Sequence, residues 1–229
     1  MPLFDPDRVT ALTFDCYGTL IDWETGVIEA LRPLLARHGV APSDDEIVAA
    51  FQDLDGALCE PPHKPYRAVL AGVVEGFGRR FGVPVEAAER DVLACSLPSW
   101  RPFPDTVGAL RALAGRYRLA VVSNCDDDLF DASARRLGVS FDAVVTSEQT
   151  RCHKPHPAIF EEALRRLGAE PGSVVHVAEG VTEIPPARRL GCATVWVRRH
   201  GRSAGLLTEA PDLDVPDLRT LLARMGVNG

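Results

Sequence analysis

The chain is 229 residues long, 46% hydrophobic and 25% charged, with a formal net charge of −7. That length is ample for a well-buried core and fits one large domain, or a core carrying a smaller insertion. The acidic balance excludes the basic stripe of a nucleic-acid binder, and every apolar run falls short of the roughly 20 residues a membrane helix needs.

The opening residues, MPLFDPDRVT, lack the basic patch and apolar stretch of a secretory signal, so a cytoplasmic protein is expected. Cysteines 16, 59, 95, 125, 152 and 192 are scattered without a C-x-x-C pair and read as free thiols. Cys152-His153 alone is too sparse for a zinc site.

In chain order, a first strand is predicted over 9–14, an apolar run that stops at Asp15. Residues 22–100 then read as helical throughout. Val27, Ile28, Leu31, Leu34 and Leu35 share one face. Ser43 and Glu46 form a capping box ahead of Ile47, Ala50, Phe51, Leu54 and Leu58. Val69, Leu70, Val73, Val74 and Phe77 mark a third helix, and a fourth is predicted over 86–95. Pro98, Pro102 and Pro104 mark the return to the core. The expected division is therefore a core of 1–21 and 101–229, with an all-helical module of about 80 residues inserted at 22–100.

Beyond it, helices alternate with short β-branched runs. Val107, Leu110 and Leu113 form one stripe; Ile159, Phe160, Ala163, Leu164 and Leu167 form another, opened by Pro157 and closed by Gly168. Strands are predicted over 119–123, 141–146, 174–178 and 194–197. This alternation predicts an α/β fold with an open parallel, Rossmann-like sheet.

Ligands of such sheets bind beyond the carboxyl ends of the strands. Those ends are Asp15, then Ser123-Asn124, then Lys154, then Glu179 and Glu183. Asp15 could equally cap a loop, but four further polar signals at strand ends favour a catalytic carboxylate able to form a covalent ester or acyl-phosphate. Gly18 permits the following turn, and Thr19 can hydrogen-bond back to the carboxylate. Ser123 and Asn124 are short donors suited to an anionic group. Lys154 is one of two lysines in an arginine-rich chain, between His153 and Pro155. Paired with Asp15 at ~4 Å it contributes ~4 kcal/mol of Coulomb energy before desolvation, which is expected to keep Asp15 ionised.

Asp15 to Thr19, Ser123, Lys154-Pro155 and the loop 178–183 resemble, in order, the four motifs of the haloacid dehalogenase superfamily of hydrolases. The insertion at 22–100 resembles that superfamily's helical cap. Superfamily phosphatases carry a second Asp two residues after the nucleophile. Tyr17 stands there instead, as in the 2-haloacid dehalogenase branch. A departing halide needs no proton, whereas an alkoxide would lose general-acid help worth ~10²–10⁴-fold.

The fourth motif departs from both branches, with Glu at both acidic positions. By the resemblance, Glu183 is the acid that helps Lys154 position water, and Glu179 has no counterpart. The resemblance also implies a cap arginine for the substrate carboxylate, for which Arg32 and Arg67 are candidates. Tyr66, Trp23 and Trp100 are candidates for pocket walls, and Cys16 and Cys125 flank the site as packing thiols.

The favoured reading is a 2-haloacid dehalogenase with catalytic Asp15, Lys154 and Glu183. Tyr17, Thr19, Ser123 and Asn124 orient a small anionic substrate, with no metal or other cofactor. A Mg²⁺-dependent phosphatase acting on good leaving groups is the first alternative, motivated by Glu179 and Glu183. A non-catalytic anion binder is the second, and the first mechanism with another leaving group, such as fluoride or a strained ring, is the third. No nucleic-acid or membrane partner is expected, and a homodimer is left open.

Overall fold

The computed structural model describes residues 4–201 and 207–227. Among them six strands form one sheet: β1 (Ala11–Phe14), β2 (Arg118–Ser123), β3 (Ala143–Thr146), β4 (Val174–Ala178), β5 (Ala193–Val197) and β6 (Leu213–Val215). All pair in parallel, in the spatial order β3-β2-β1-β4-β5-β6. The central strands read as near-continuous apolar runs because helices cover both faces and leave no wet side to satisfy. Leu12 illustrates the register, standing opposite Leu119 on one side and Val175 on the other.

The five predicted strands are present: 174–178 matches β4 at both ends, and the other four differ by one or two residues at their starts. β6 was not predicted: Leu-Asp-Val is too short to show a period. Helices α5 (Thr106–Ala114), α6 (Asp127–Leu137), α7 (Ser147–Thr150), α8 (Pro157–Leu167), α9 (Ile184–Arg189) and α10 (Leu218–Arg224) make up the rest of this α/β layer.

Between β1 and α5 the described chain holds helices and no strand: α1 (Trp23–Arg37), α2 (Asp44–Leu58), α3 (Tyr66–Phe81) and α4 (Val92–Ser96). The Ser43/Glu46 capping box opens α2 as the spacing predicts. The helix expected over 86–95 is instead a 3-10 turn at Ala87–Glu89 followed by the five-residue α4. There Glu89 folds back onto the Glu86 amide, 2.9 Å away, and closes a turn rather than starting a longer helix.

The chain leaves and re-enters the α/β layer side by side. Asp22 N donates to Arg101 O at 2.9 Å and Phe103 N to Leu20 O at 3.1 Å. A second tie comes from Asp126, just after β2. No side chain of its own segment caps α3, and Asp126 caps it from across the fold, accepting from Tyr66 N at 2.7 Å and Arg67 N at 2.8 Å. A carboxylate at a helix N-terminus satisfies orphan amides and meets the favourable end of the helix dipole.

Strand order places the site. The chain runs outward from β1 to β2 and β3, then returns to the other side of β1 for β4. The crevice at the carboxyl ends of β1 and β4 is thus a topological switch point, and Asp15 opens into it.

Candidate active site

Asp15 continues the β1 ladder for one residue, its amide donating to Val177 O at 3.0 Å. Gly18 then turns the chain with φ +105°, a conformation open to glycine and strained for other residues. A Cβ there would also stand 3.1 Å from Glu179 Oε2. The turn brings Thr19 back so that its hydroxyl donates to Asp15 Oδ2 at 2.7 Å. The same hydroxyl accepts from Glu179 N at 2.7 Å, tying the first motif to the fourth.

Lys154 reaches the other side of the carboxylate. Its Nζ lies 2.6 Å from Asp15 Oδ1, 2.9 Å from Val122 O and 3.1 Å from Glu183 Oε1. An ammonium has three protons to donate, so all three are committed to the protein. Asn124 holds the loop that carries this lysine, accepting from Lys154 N at 2.6 Å.

Glu183 is buried and also meets His176 Nε2 at 3.2 Å. His176 Nδ1 in turn contacts Thr13 Oγ1 at 2.9 Å. Gly180 makes room for this acid, since a Cβ there would lie 2.7 Å from Glu183 Oε1. His176 and Thr13 were not singled out in the sequence; the signal was a histidine inside an otherwise apolar buried strand.

Burial penalises every charge here. It works against the Lys154 ammonium, but Asp15 and Glu183 outweigh it and raise Lys154 above its ordinary value. It opposes the Glu183 anion too, yet Lys154 and His176 hold that carboxyl below the usual range. For Asp15 the balance tips the other way. Desolvation prevails over Lys154, Glu183 adds to it, and the carboxyl sits above its ordinary value. The ion pair forms as the sequence predicts, but it does not by itself make Asp15 a stronger acid. Burial likewise raises the Cys16 thiol and pushes Cys125 up to about 12, which keeps both protonated.

Tyr17 lines the site with its ring, in edge contact with Trp100. Its hydroxyl is turned away onto Ser133 Oγ at 2.9 Å. Of the four predicted substrate-binding residues, Tyr17, Thr19 and Asn124 thus have their polar atoms engaged within the protein. Ser123 differs: its Oγ is buried, lines the cavity and has no hydrogen-bond partner.

The cavity, of about 370 Å³, lies between the sheet rim and the helices of the insertion. Trp23, Phe51, Tyr66 and Trp100 give it aromatic walls, and Asp55 and Gln52 face it from α2. The predicted arginines do not reach it. Arg32 pairs with Asp44, and Arg67 with Asp128 at 2.6 Å, both on the exposed surface. Arg67 is the second residue of α3, where its backbone serves Asp126 while its side chain pairs with Asp128. Lys154 is the one cationic side chain among the described residues lining the cavity, against Asp15, Asp55, Glu179 and Glu183.

Two supports of the turn were also missed. Arg199 donates to Thr19 O at 3.0 Å and to Asp105 Oδ1 at 2.9 Å, all three buried. Asp105 further accepts from Leu218 N at 2.7 Å, so the turn after Asp15 is braced from β5 and α10.

A family model described as haloacid dehalogenase-like hydrolase matches residues 9–191. Haloacetate dehalogenase H-2 of Moraxella sp. (strain B) is 29% identical over 96% of this chain and 99% of that protein. Glyceraldehyde 3-phosphate phosphatase of Methanothermobacter thermautotrophicus is 37% identical, over 53% of this chain and 59% of that protein. The crystal structure of an L-2-haloacid dehalogenase superposes with a TM-score of 0.81 at 25% identity, covering 95% of this chain and 99% of that one.

Proposed function

Because the chain belongs to the haloacid dehalogenase-like hydrolases, we propose that it hydrolyses a small 2-halo carboxylic acid to the 2-hydroxy acid. The observation that carries this reading is at Tyr17, where a proton-donating acid is replaced by a ring whose hydroxyl is bound to Ser133. A halide leaves with its bonding electrons as a stable anion and requires no donor there.

Residues 22–100 serve as a cap over a core of 1–21 and 101–229, and substrate binds between them. Asp15, steadied by Thr19 and Lys154, attacks C2 in line; the C–O bond forms as the C–halogen bond breaks. Ser123 donates to the substrate carboxylate. Water then adds to the carbonyl carbon of the Asp15 ester and gives up a proton, and the acyl C–O bond to the substrate oxygen breaks. That oxygen takes up a proton as the 2-hydroxy acid leaves, and Asp15 is restored as a carboxylate carrying one oxygen from water, with one proton released overall. Glu183, anionic and held by His176, is the acceptor that orients this water, and Lys154 stabilises the charge that develops on the ester oxygen. Both steps use nucleophilic catalysis to divide one difficult displacement into two.

The reading needs no metal. Both Asp15 oxygens already accept bonds, from Lys154 and Thr19. Among the described residues no three His, Cys, Asp or Glu side chains gather as a metal site. Glu is also one methylene longer than Asp, which suits a tight octahedral Mg²⁺ poorly. A single turnover with enzyme in excess in ¹⁸O-water tests the ester route. The hydroxy acid is expected unlabelled and the label on Asp15; labelled product after one turnover overturns the mechanism. Turnover that stops with EDTA would favour the phosphatase instead.

A further inference from the structure

His176 is the polar exception in β4, flanked along the strand by Val174, Val175, Val177 and Ala178. In the sheet it stands opposite Thr13 of β1 and Thr194 of β5. The side chain is 1% exposed, and Phe160 packs edge-on against its ring at 5.2 Å. A residue placed here for packing alone would be apolar, as its strand neighbours are. Instead both ring nitrogens are engaged, Nδ1 at 2.9 Å from Thr13 Oγ1 and Nε2 at 3.2 Å from Glu183 Oε2.

The contact with Glu183 breaks a symmetry. Lys154 Nζ lies 3.1 Å from Oε1 and 3.0 Å from Oε2, so the ammonium does not distinguish the two oxygens. His176 does, because its hydrogen bond goes to Oε2. An ionised carboxylate only accepts, so Nε2 carries the proton of this bond. Thr13 secures the ring from the far side, since a hydroxyl can donate to a bare Nδ1 or accept from a protonated one. Oε2 is thereby engaged by two donors and Oε1 by Lys154. Glu183 lines the cavity, and Oε1 is the freer of its oxygens to receive a proton.

We propose that His176 is a positioning residue for the hydrolytic half of the reaction, holding Glu183 by Oε2 so that Oε1 is presented to the attacking water. The inference rests on the dehalogenase reading for that water, and the histidine acts through Glu183 alone. In the step it supports, an O–H bond of water breaks, the proton passes to Oε1 and the hydroxide adds to the ester carbonyl carbon. The proton then returns to the substrate oxygen as the hydroxy acid leaves. The titratable groups facing Glu183 are Lys154 and His176, with Asp15 across the lysine. Lys154 and His176 both favour the anion against burial. Without the imidazole donor, Glu183 keeps its proton to higher pH, and once protonated it no longer opposes the Asp15 anion.

Quenched single turnovers of 2-chloropropanoate across pH 5 to pH 9 separate the two steps, chloride release reporting formation of the Asp15 ester and product release its breakdown. His176→Phe, checked for folding by thermal melts, is expected to form the ester at least as fast as the wild type. Breakdown should slow at least ~10-fold at pH 6, as when a charged acceptor loses a hydrogen bond. Its acid limb should move to higher pH, with the deficit shrinking above it. His176→Gln, whose amide nitrogen is as many bonds from Cα as Nε2, should bring the limb back. A merely structural role would lower both rates alike and leave the limb in place. That result overturns the proposal, as does a breakdown defect that His176→Gln does not relieve. Should His176→Phe not fold, Thr13→Val decides: it strips the anchor from Nδ1, and an acid limb unmoved from the wild type overturns the proposal. No chloride release by the wild type would instead end the dehalogenase reading, and the role of His176 with it.

Discussion

The Tyr17 hydroxyl lies 2.9 Å from Ser133 Oγ, bound to α6 rather than directed at the nucleophile two residues before it. Tyr17→Phe is therefore expected to lower kcat by less than ~10-fold, since a working general acid would cost ~10²–10⁴-fold. The same change leaves buried Ser133 without its partner and should cost ~1–3 kcal/mol in a denaturant titration. A kcat loss beyond ~100-fold would place the hydroxyl in the chemistry and defeat the halide argument.

Glu183→Gln separates the two halves of the proposed reaction. The displacement by Asp15 should continue, while hydrolysis of the ester slows by ~10²–10⁴-fold. Intact mass spectrometry is expected to show a covalent adduct that persists in the variant and turns over in the parent. No accumulation, with activity unimpaired, would remove Glu183 from the hydrolytic step.

Lys154→Met leaves Asp15 and Glu183 facing each other without a cation. Breaking a buried pair this way costs ~3–5 kcal/mol, to be read from thermal melts at pH 8. The pH dependence should also shift. In the parent the two acids oppose each other: Glu183, held below its ordinary value, contributes stability that is lost as pH falls, and Asp15, held above its own, contributes stability that is lost as pH rises. Without Lys154 both acids move up, the folded state binds more protons than the unfolded chain, and stability declines as pH rises. The variant is thus expected to recover part of its loss at pH 5; an equal loss at both values would contradict this charge balance.

Gly26 offers a test of how the aromatic wall is seated. A Cβ at this position of α1 would lie 2.4 Å from the Trp100 ring. Gly→Ala inside a helix usually gains up to ~1 kcal/mol, but overpacking here should reverse the sign and cost ~1–3 kcal/mol. Thermal melts of Gly26→Ala check the direction. KM should rise with it, because displacing Trp100 reshapes the cavity.

The nucleophile and its partners were legible because strands end in the sequence as plainly as they do in space. Asp15 follows an apolar run, Ser123 ends one, and Lys154 lies in the loop after α7, eight residues past the end of β3; parallel topology gathers these ends on one rim. The residues that were missed owe their roles to contacts no local pattern encodes. Asp55 looks like any polar residue on an amphipathic α2, and only the seating of that helix turns it inward. Arg32 and Arg67 have the right charge, but their neighbours Asp44 and Asp128 claim them at the surface. Arg199 and Asp105 are 94 positions apart and meet only because β5 runs near the start of α5. β6 gains its identity from pairing with β5, not from its own three residues.

Asp126 places a condition on re-engineering. Since this one core side chain grips the first two amides of α3, a foreign helical module grafted into the same gap will seat only if one of its helices begins at that spot with uncapped N–H groups. Chimeras should accordingly be sorted by where their donor helix starts, before any thought is given to the length of the graft.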